Sequence, residues 1–241
     1  MSFTAFISDL HLTRTRPRIN RIFFSFLAGA ALQADALYIL GDLFEYWAGD
    51  DDLVDPLNAQ VAAGLKALSD GGVPVYLMHG NRDLLLFDGF GRAAGVTFIA
   101  DPTIIDLYDT RTLLMHGDAL CTADERYQAS RRRMHSRAWQ RLFLALPLRI
   151  RRAMIERARR RSDARKRTEA EEIMDVTPAA VDQALHASGC ERLIHGHTHR
   201  PARHTHLVDG RDSERWVLSA WYDHGEYLSV SPQGCTPVRL D

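Results

Sequence analysis

The chain has 241 residues, of which 46% are hydrophobic and 25% charged, with a formal net charge of −1, a composition that excludes extended disorder and allows one substantial core. Its three cysteines, Cys121, Cys190 and Cys235, are far apart with no CxxC pair, which argues against a disulfide framework or a zinc knuckle and for a reducing compartment. The N-terminus enters a strand-like stretch without a basic region followed by a long apolar one, and no apolar run approaches the roughly 20 residues needed to span a bilayer, so no signal peptide is expected and membrane contact is peripheral.

In chain order, a short apolar run at 4–8 predicts a buried strand, a helical pattern covers 17–32, and a second strand covers 36–40. A helix over 57–69 and a strand over 73–78 continue this βαβ alternation, which is followed by a strand at 112–115. From Asp124 to about Ala187 the pattern is helical, with Pro147 and Pro178 as starts or breaks. Strands at 192–194, 216–219 and 227–230 complete the chain. The fold class is α/β, with sheets sandwiched by helices. The whole chain, 1–241, reads as one domain carrying a helical insertion over 124–170, with no internal repeat or low-complexity linker.

Five of these strands end in residues of metal-ligand type: Asp9-Leu10-His11, Gly41-Asp42, Gly80-Asn81-Arg82-Asp83, His116-Gly117-Asp118 and His195-Gly196-His197-Thr198-His199. In an open α/β sheet the C-terminal strand ends gather loops from distant parts of the chain, so these groups can converge. Glycine beside four of the five lets the backbone turn sharply there. Any one of these residues alone is an ordinary turn residue; five in register indicate a site. Two cations about 3.5–4 Å apart can share a carboxylate and a hydroxide, lower the pKa of that water and neutralise phosphoryl charge during in-line attack. A mixed nitrogen and oxygen set without thiolate suits Mn²⁺, with Fe²⁺, Co²⁺ or Zn²⁺ as alternatives. Asp83 and His195 are placed to orient ligands from behind them.

The order and spacing of these motifs resemble the calcineurin-like metallophosphoesterase superfamily, over residues 4 to 199. The resemblance implies a β-sandwich flanked by helices. It further implies that Asp9, His11 and His199 hold one metal and Asn81, His116 and His197 the other, with Asp42 bridging them. The superfamily usually has a histidine where this chain has Arg82. Arginine does not serve as a general acid near neutral pH but clamps phosphate through two parallel hydrogen bonds. A leaving group that departs without a proton, such as a phosphate in a pyrophosphate linkage, is therefore favoured.

Within the superfamily, the segment from Gly41 through Phe44, Glu45, Tyr46 and Trp47 to Asp51 looks like the UDP-2,3-diacylglucosamine pyrophosphatase branch of lipid A biosynthesis. Gly80-Asn81-Arg82-Asp83, Ile173-Met174-Asp175-Val176 and His195 to Pro201 share that likeness. This resemblance implies attack of water on the α-phosphorus to give UMP and 2,3-diacylglucosamine 1-phosphate. It implies two Mn²⁺ ions per chain, a Gram-negative source and attachment to the cytoplasmic face of the inner membrane. Asp42, Asn81, Arg82 and His195 would serve catalysis. Substrate contacts would come from Asn81, Arg82, His197, Asp124, Ser162, Lys166 and Glu169. At the last two positions the charge is displaced relative to the branch.

The stretch 131–167 holds fifteen of the thirty Lys and Arg residues and only Glu156 and Asp163 as acids. Trp139, Leu142, Phe143, Leu146, Leu148, Ile150, Met154 and Ile155 interleave with these arginines, a pattern suited to an apolar pocket with a cationic rim. Substrate diphosphate and acidic lipid headgroups both match the excess charge, and no nucleic-acid partner is expected. The alternatives are a nuclease or other phosphodiesterase with a basic lid, or a non-catalytic scaffold. The protein is expected to be a monomer.

Overall fold

The computed structural model describes residues 2–166 and 175–241, the side chains of 161–166 excepted. Strand β1 (Thr4–Ile7) opens a run of alternating strands and helices: α1 (Pro17–Ala28), β2 (Ala36–Leu40), α2 (Pro56–Asp70), β3 (Val75–Met78), α3 (Asp88–Ala94) and β4 (Thr97–Ile99). Pro17 and Pro56 occupy the first helical turns of α1 and α2, where no backbone donor is lost, and the Asp55 carboxylate caps α2 by accepting the Leu57 N–H at 2.9 Å. A hairpin of β5 (Thr103–Leu107) and β6 (Thr110–Met115) follows, then α4 (Glu125–Met134), α5 (Arg137–Leu144) and α6 (Leu148–Lys166). The chain ends with α7 (Pro178–Ser188), β7 (Arg192–His195), β8 (Ala202–Val208), β9 (Arg211–Val217), β10 (Gly225–Ser231) and β11 (Gly234–Leu240).

The strands form two sheets, in the orders β11-β10-β1-β2-β3-β4 and β5-β6-β7-β9-β8. β1 to β4 are parallel, as are β6, β7 and β9, so the C-terminal ends of β1, β2 and β3 share one sheet edge and those of β6 and β7 share another. Side-chain alternation assigns the layers. Phe6, Leu40 and Met78 of the first sheet meet Leu114 and Ile194 of the second in the seam between them. Ala5, Ile7, Leu37, Ile39, Val75 and Leu77 face the other way, onto α1, α2 and α3. Leu113, Met115 and Leu193 pack against Val181 and Leu185 of α7. The result is two sheets face to face with helices outside each, the mixed α/β arrangement expected from the sequence.

The seven apolar runs correspond to β1, β2, β3, β6, β7, β9 and β10, which are the inner strands. β4, β5, β8 and β11 stand at the four edges, and none of them was expected from the apolar pattern. An edge strand needs less apolar side chain because one flank faces water, and β8 is largely exposed along its length. β9 begins at Arg211, earlier than the apolar run at 216–219, because its first residues are polar. The short α3 was also missed; it contains Gly89 and Gly91, which weaken a helical pattern. The helical stretch after Asp124 is interrupted at His135–Ser136 and at 145–147, and α7 begins at the expected Pro178.

Candidate active site

All five motifs sit immediately after the strands that carry them, and the parallel pairing brings their loops to one edge of the sandwich. Asp9 donates its N–H to Gly41 O at 3.1 Å, His11 donates to Asp42 O at 3.0 Å, and Gly196 donates to His116 O at 2.9 Å, so the loops are stitched to one another through the main chain. Eight non-glycine residues among those described have positive φ, and five of them are Asp9, His11, Asp42, His197 and His199. The other three, Tyr108, Asp109 and Asp209, lie at hairpin turns. Left-handed backbone at a histidine is costly, and its concentration here means that the surrounding fold holds these residues in place.

Glycine is required where the loops touch. A Cβ at Gly41, whose φ is +89°, would fall 2.5 Å from His116 Nδ1, and one at Gly196 would collide with the Asp9 carboxylate and the Ser8 hydroxyl.

Asp9, His11, Asp42 and His116 are all buried. His199 Nε2 stands 3.2 Å from Asp9 Oδ1 and 3.3 Å from His11 Nε2. Asp42 lies between the two halves of the cluster, with Oδ2 at 3.9 Å from His11 Nε2 and Oδ1 at 3.8 Å from His116 Nε2. Asn81 Oδ1 is 3.2 Å from His116 Nε2, and the His197 ring stands edge-on to His116 at 5.0 Å. The donor atoms of Asp9, His11 and His199 form one group, and those of Asp9, Asp42 and His116 another, each within 4.8 Å of one another. The seven expected ligands are thus brought together.

Several side chains fix this arrangement from behind. His116 Nδ1 pairs with Leu40 O at 2.8 Å, which leaves Nε2 toward Asn81 and Asp42. Asp83, fully buried, accepts the N–H groups of Leu43 at 2.7 Å, Gly80 at 2.8 Å and Asp42 at 3.3 Å, tying the end of β2 to the end of β3. Asp9 Oδ2 accepts from Ser8 Oγ at 2.6 Å and from the His197 N–H at 2.8 Å. His195 is fully buried, its Nδ1 on Gly196 O at 2.8 Å and its Nε2 facing Arg215 at 3.2 Å, so both ring nitrogens are engaged away from the ligand cluster.

The electrostatics favour cation binding. Burial pushes Asp42 up to about 8. Burial acts to lower His116, but the carboxylates of Asp42, Asp118 and Asp9 outweigh it and raise His116 to about 9. Burial likewise opposes ionisation of Asp9, yet the His199 hydrogen bond and the charges of His116, His199 and His11 hold it well below the usual carboxylate range. Burial lowers His11, and takes His197 to about 3 and His195 to about 4, so these imidazoles are neutral near pH 7, the form that binds metal. His11 Nδ1 is buried without a partner, and His11 Nε2 and His199 Nε2 point at each other across 3.3 Å with a carboxylate oxygen beside them. A convergence of lone pairs with, among the described residues, no guanidinium on either Asp9 or Asp42 suits a divalent cation, and the nitrogen and oxygen set contains no thiolate.

Arg82 flanks this floor. Its N–H donates to Asp42 Oδ1 at 2.8 Å and its guanidinium reaches Glu45 Oε1 at 3.3 Å. Glu45 also binds Arg16 at 2.5 Å and Arg159 of α6, so one carboxylate gathers three arginines at the rim. Asp124 caps α4, accepting the Tyr127 N–H at 2.8 Å, and the Tyr127 ring lies 5.9 Å from His197. Ser162 and Lys166 fall on the last turns of α6, and Glu169 lies outside the described residues.

Sequence reasoning missed Tyr222. Its hydroxyl is 3.2 Å from His199 Nδ1, and its ring stacks on His11 at 5.8 Å. It also missed Tyr127, whose hydroxyl donates to Asp118 at 2.7 Å beneath the His197 contact. Neither residue has a ligand-like spacing that would have flagged it.

The calcineurin-like phosphoesterase family model matches residues 4–201. The UDP-2,3-diacylglucosamine hydrolase of Aromatoleum aromaticum is 52% identical over 235 residues, covering 98% of this chain and 95% of the relative. The enzyme of the same name from Cellvibrio japonicus is 50% identical, with 96% of each chain covered. Among solved structures, an archaeal phosphodiesterase aligns over 99% of both chains at a TM-score of 0.48 and 11% identity.

Proposed function

The chain belongs to the calcineurin-like phosphoesterase family of hydrolases, and from that premise we propose that it cleaves the pyrophosphate bond of UDP-2,3-diacylglucosamine in lipid A synthesis. The products are UMP and 2,3-diacylglucosamine 1-phosphate, and water attacks the α-phosphorus. The observation that carries the reading is Asp42, which offers one oxygen toward His11 and the other toward His116, as a carboxylate shared by two cations would. Asp9, His11 and His199 would hold one ion and Asn81, His116 and His197 the other, and the nitrogen and oxygen donor set supports Mn²⁺ for both. Divalent cations held there lower the pKa of water and neutralise charge on the phosphoryl oxygens.

The chain's own residues supply the rest. Arg82 clamps the phosphoryl oxygens through its guanidinium, and Glu45 aims it. Asn81 holds phosphate as well as metal, and His195 braces the segment that carries His197 and His199. Residues 124–170 are read as a lid insertion, with substrate contacts expected from the resemblance at Asp124, Ser162, Lys166 and Glu169, of which the last and the side chains of Ser162 and Lys166 lie outside the described residues. Four of the lid's apolar residues, Trp139, Phe143, Leu146 and Ile155, pack on the core. Leu142, Ile150 and Met154 remain exposed among arginines, which supports acyl-chain binding and peripheral contact with anionic lipids on the cytoplasmic face of the inner membrane. None of the described helices is long and apolar enough to cross a membrane. The protein acts as a monomer.

Incubation with UDP-2,3-diacylglucosamine and Mn²⁺ in detergent and ¹⁸O-labelled water tests the proposal. The label is expected in UMP. Label in the sugar phosphate would move the attack to the other phosphorus, and cleavage of single-stranded DNA without release of UMP would replace the substrate class.

A further inference from the structure

Arg215 on β9 is buried, at 8% exposure, and among the described residues no carboxylate comes within ion-pair distance of it, the charge of Asp175 acting on it only from farther away. A guanidinium taken out of water without a counter-ion must be held by hydrogen bonds. Two imidazoles do this: His206 on β8, whose Nε2 receives Arg215 Nε at 3.3 Å, and His195 on β7, whose Nε2 receives Arg215 Nη1 at 3.2 Å.

A guanidinium has donors only, so both Nε2 atoms accept and both histidines carry their proton on Nδ1. Each Nδ1 then has one acceptor. His206 Nδ1 donates to Asp182 Oδ1 on α7 at 2.7 Å, and His195 Nδ1 donates to Gly196 O at 2.8 Å. Four hydrogen bonds therefore run outward from the Arg215 guanidinium, two through His206 of β8 to a half-exposed aspartate on α7 and two through His195 of β7 to the Gly196 peptide at the active site.

That peptide is a junction. Gly196 donates to His116 O at 2.9 Å, its carbonyl also accepts the Thr198 N–H at 2.9 Å, and no side chain fits at its Cα without striking Asp9. His197 and His199 follow it in left-handed conformations, at φ +69° and +57°. A Cβ at Gly117 would fall 2.7 Å from His195 Nδ1, so the ring has little room for a second orientation.

We propose that Arg215, held by His206 and Asp182, is a positioning residue: it locks the tautomer of His195 and thereby the Gly196 carbonyl from which His197 and His199 are suspended. The inference rests on the reading of those histidines as metal ligands.

Titration of the metal-free protein with Mn²⁺ by calorimetry tests it, with thermal melting measured alongside. Arg215→Met and His206→Leu should each bind Mn²⁺ about 10–100-fold more weakly, the range expected when a group behind a ligand is removed. His206→Gln keeps an oxygen that accepts from Arg215 and should restore most of the loss, which a merely structural role for His206 would not require. Asp182→Ala, at the exposed end, should give a smaller loss with an unchanged melting temperature. A folded Arg215→Met protein with wild-type Mn²⁺ affinity would overturn the inference. If that variant does not fold, equal affinities for His206→Leu and His206→Gln would overturn it. Wild-type protein that takes up no Mn²⁺ would remove the underlying reading as well, whereas normal uptake by wild type and variants alike would remove this inference alone.

Discussion

In the strand-end loops, Asp9 and Asp42 are buried with no guanidinium paired to either among the described residues, and His11 and His197 beside them are held neutral by burial. In the arginine-rich helices the situation is reversed: Arg151, Arg152 and Arg159 of α6 each meet a carboxylate of the loop after β2, respectively Asp51, Asp52 and Glu45. Arg131 of α4 meets Asp118 at 2.7 Å. The first region brings carboxylate oxygens and imidazole nitrogens together in a donor set suited to divalent cations. The second satisfies part of its positive charge within the chain. Four of the arginines that made the 131–167 excess so uneven are thus accounted for by carboxylates outside that stretch. Arg132, Arg133, Arg137, Arg141, Arg149 and Arg157 are exposed, as are Leu142, Ile150 and Met154, and these form the surface proposed to meet an anionic lipid partner.

The contrast predicts that damage to the floor acts on metal and rate, while damage to the helices acts on substrate and leaves the metal alone. The largest effect is expected for Asp42→Ala, which removes the carboxylate between the two halves of the cluster. Its kcat should fall by at least about 10²-fold, and retention of a tenth of the wild-type rate in a steady-state assay would break the contrast. pH should act on the same floor. In the metal-free protein His116 and Asp42 are raised, so each holds a proton below its raised value and must lose it to become a ligand. Mn²⁺ affinity should therefore fall as pH falls, roughly tenfold per pH unit for each proton displaced, between about pH 8 and 6. Calorimetry in buffers of different ionisation enthalpy would count the protons released.

Arg82→Ala should lower kcat/KM by about 10–10²-fold through loss of a charged phosphate contact while leaving Mn²⁺ affinity unchanged. Arg82→His should shift preference toward diesters with poorer leaving groups, and unchanged selectivity would contradict the leaving-group argument. Asp52→Ala frees Arg152 and leaves the Ala48 N–H without its acceptor, so a stability loss of about 1–3 kcal/mol is expected, visible in urea melts. KM for the lipid substrate should rise with it, again without change in Mn²⁺ affinity. The smallest effect is expected for Met154→Asp, which should weaken sedimentation with anionic vesicles but not hydrolysis of a short-chain, detergent-dispersed substrate.

Much of this was legible in the sequence for a specific reason. Inner strands of a sandwich are covered on both faces, so their apolar runs stand out, and the ligands follow directly at their ends. The four edge strands carry no such signature, and β8 in particular reads as a polar loop. Long-range pairing is the other blind spot. Glu45 lay within a recognised segment, but only the fold shows that it collects Arg16, Arg82 and Arg159. Tyr222 and Arg215 likewise act through contacts with residues distant in sequence, His199 and His195, that no local pattern announces.

Seven side chains from five loops are proposed to hold a pair of cations. A crystal grown with Mn²⁺ and measured at the manganese absorption edge tests this most directly. The account predicts two anomalous peaks about 3.5–4 Å apart, one against Asp9, His11 and His199, the other against Asn81, His116 and His197, with Asp42 between them. A single peak, or none, in a crystal soaked to saturation would contradict it.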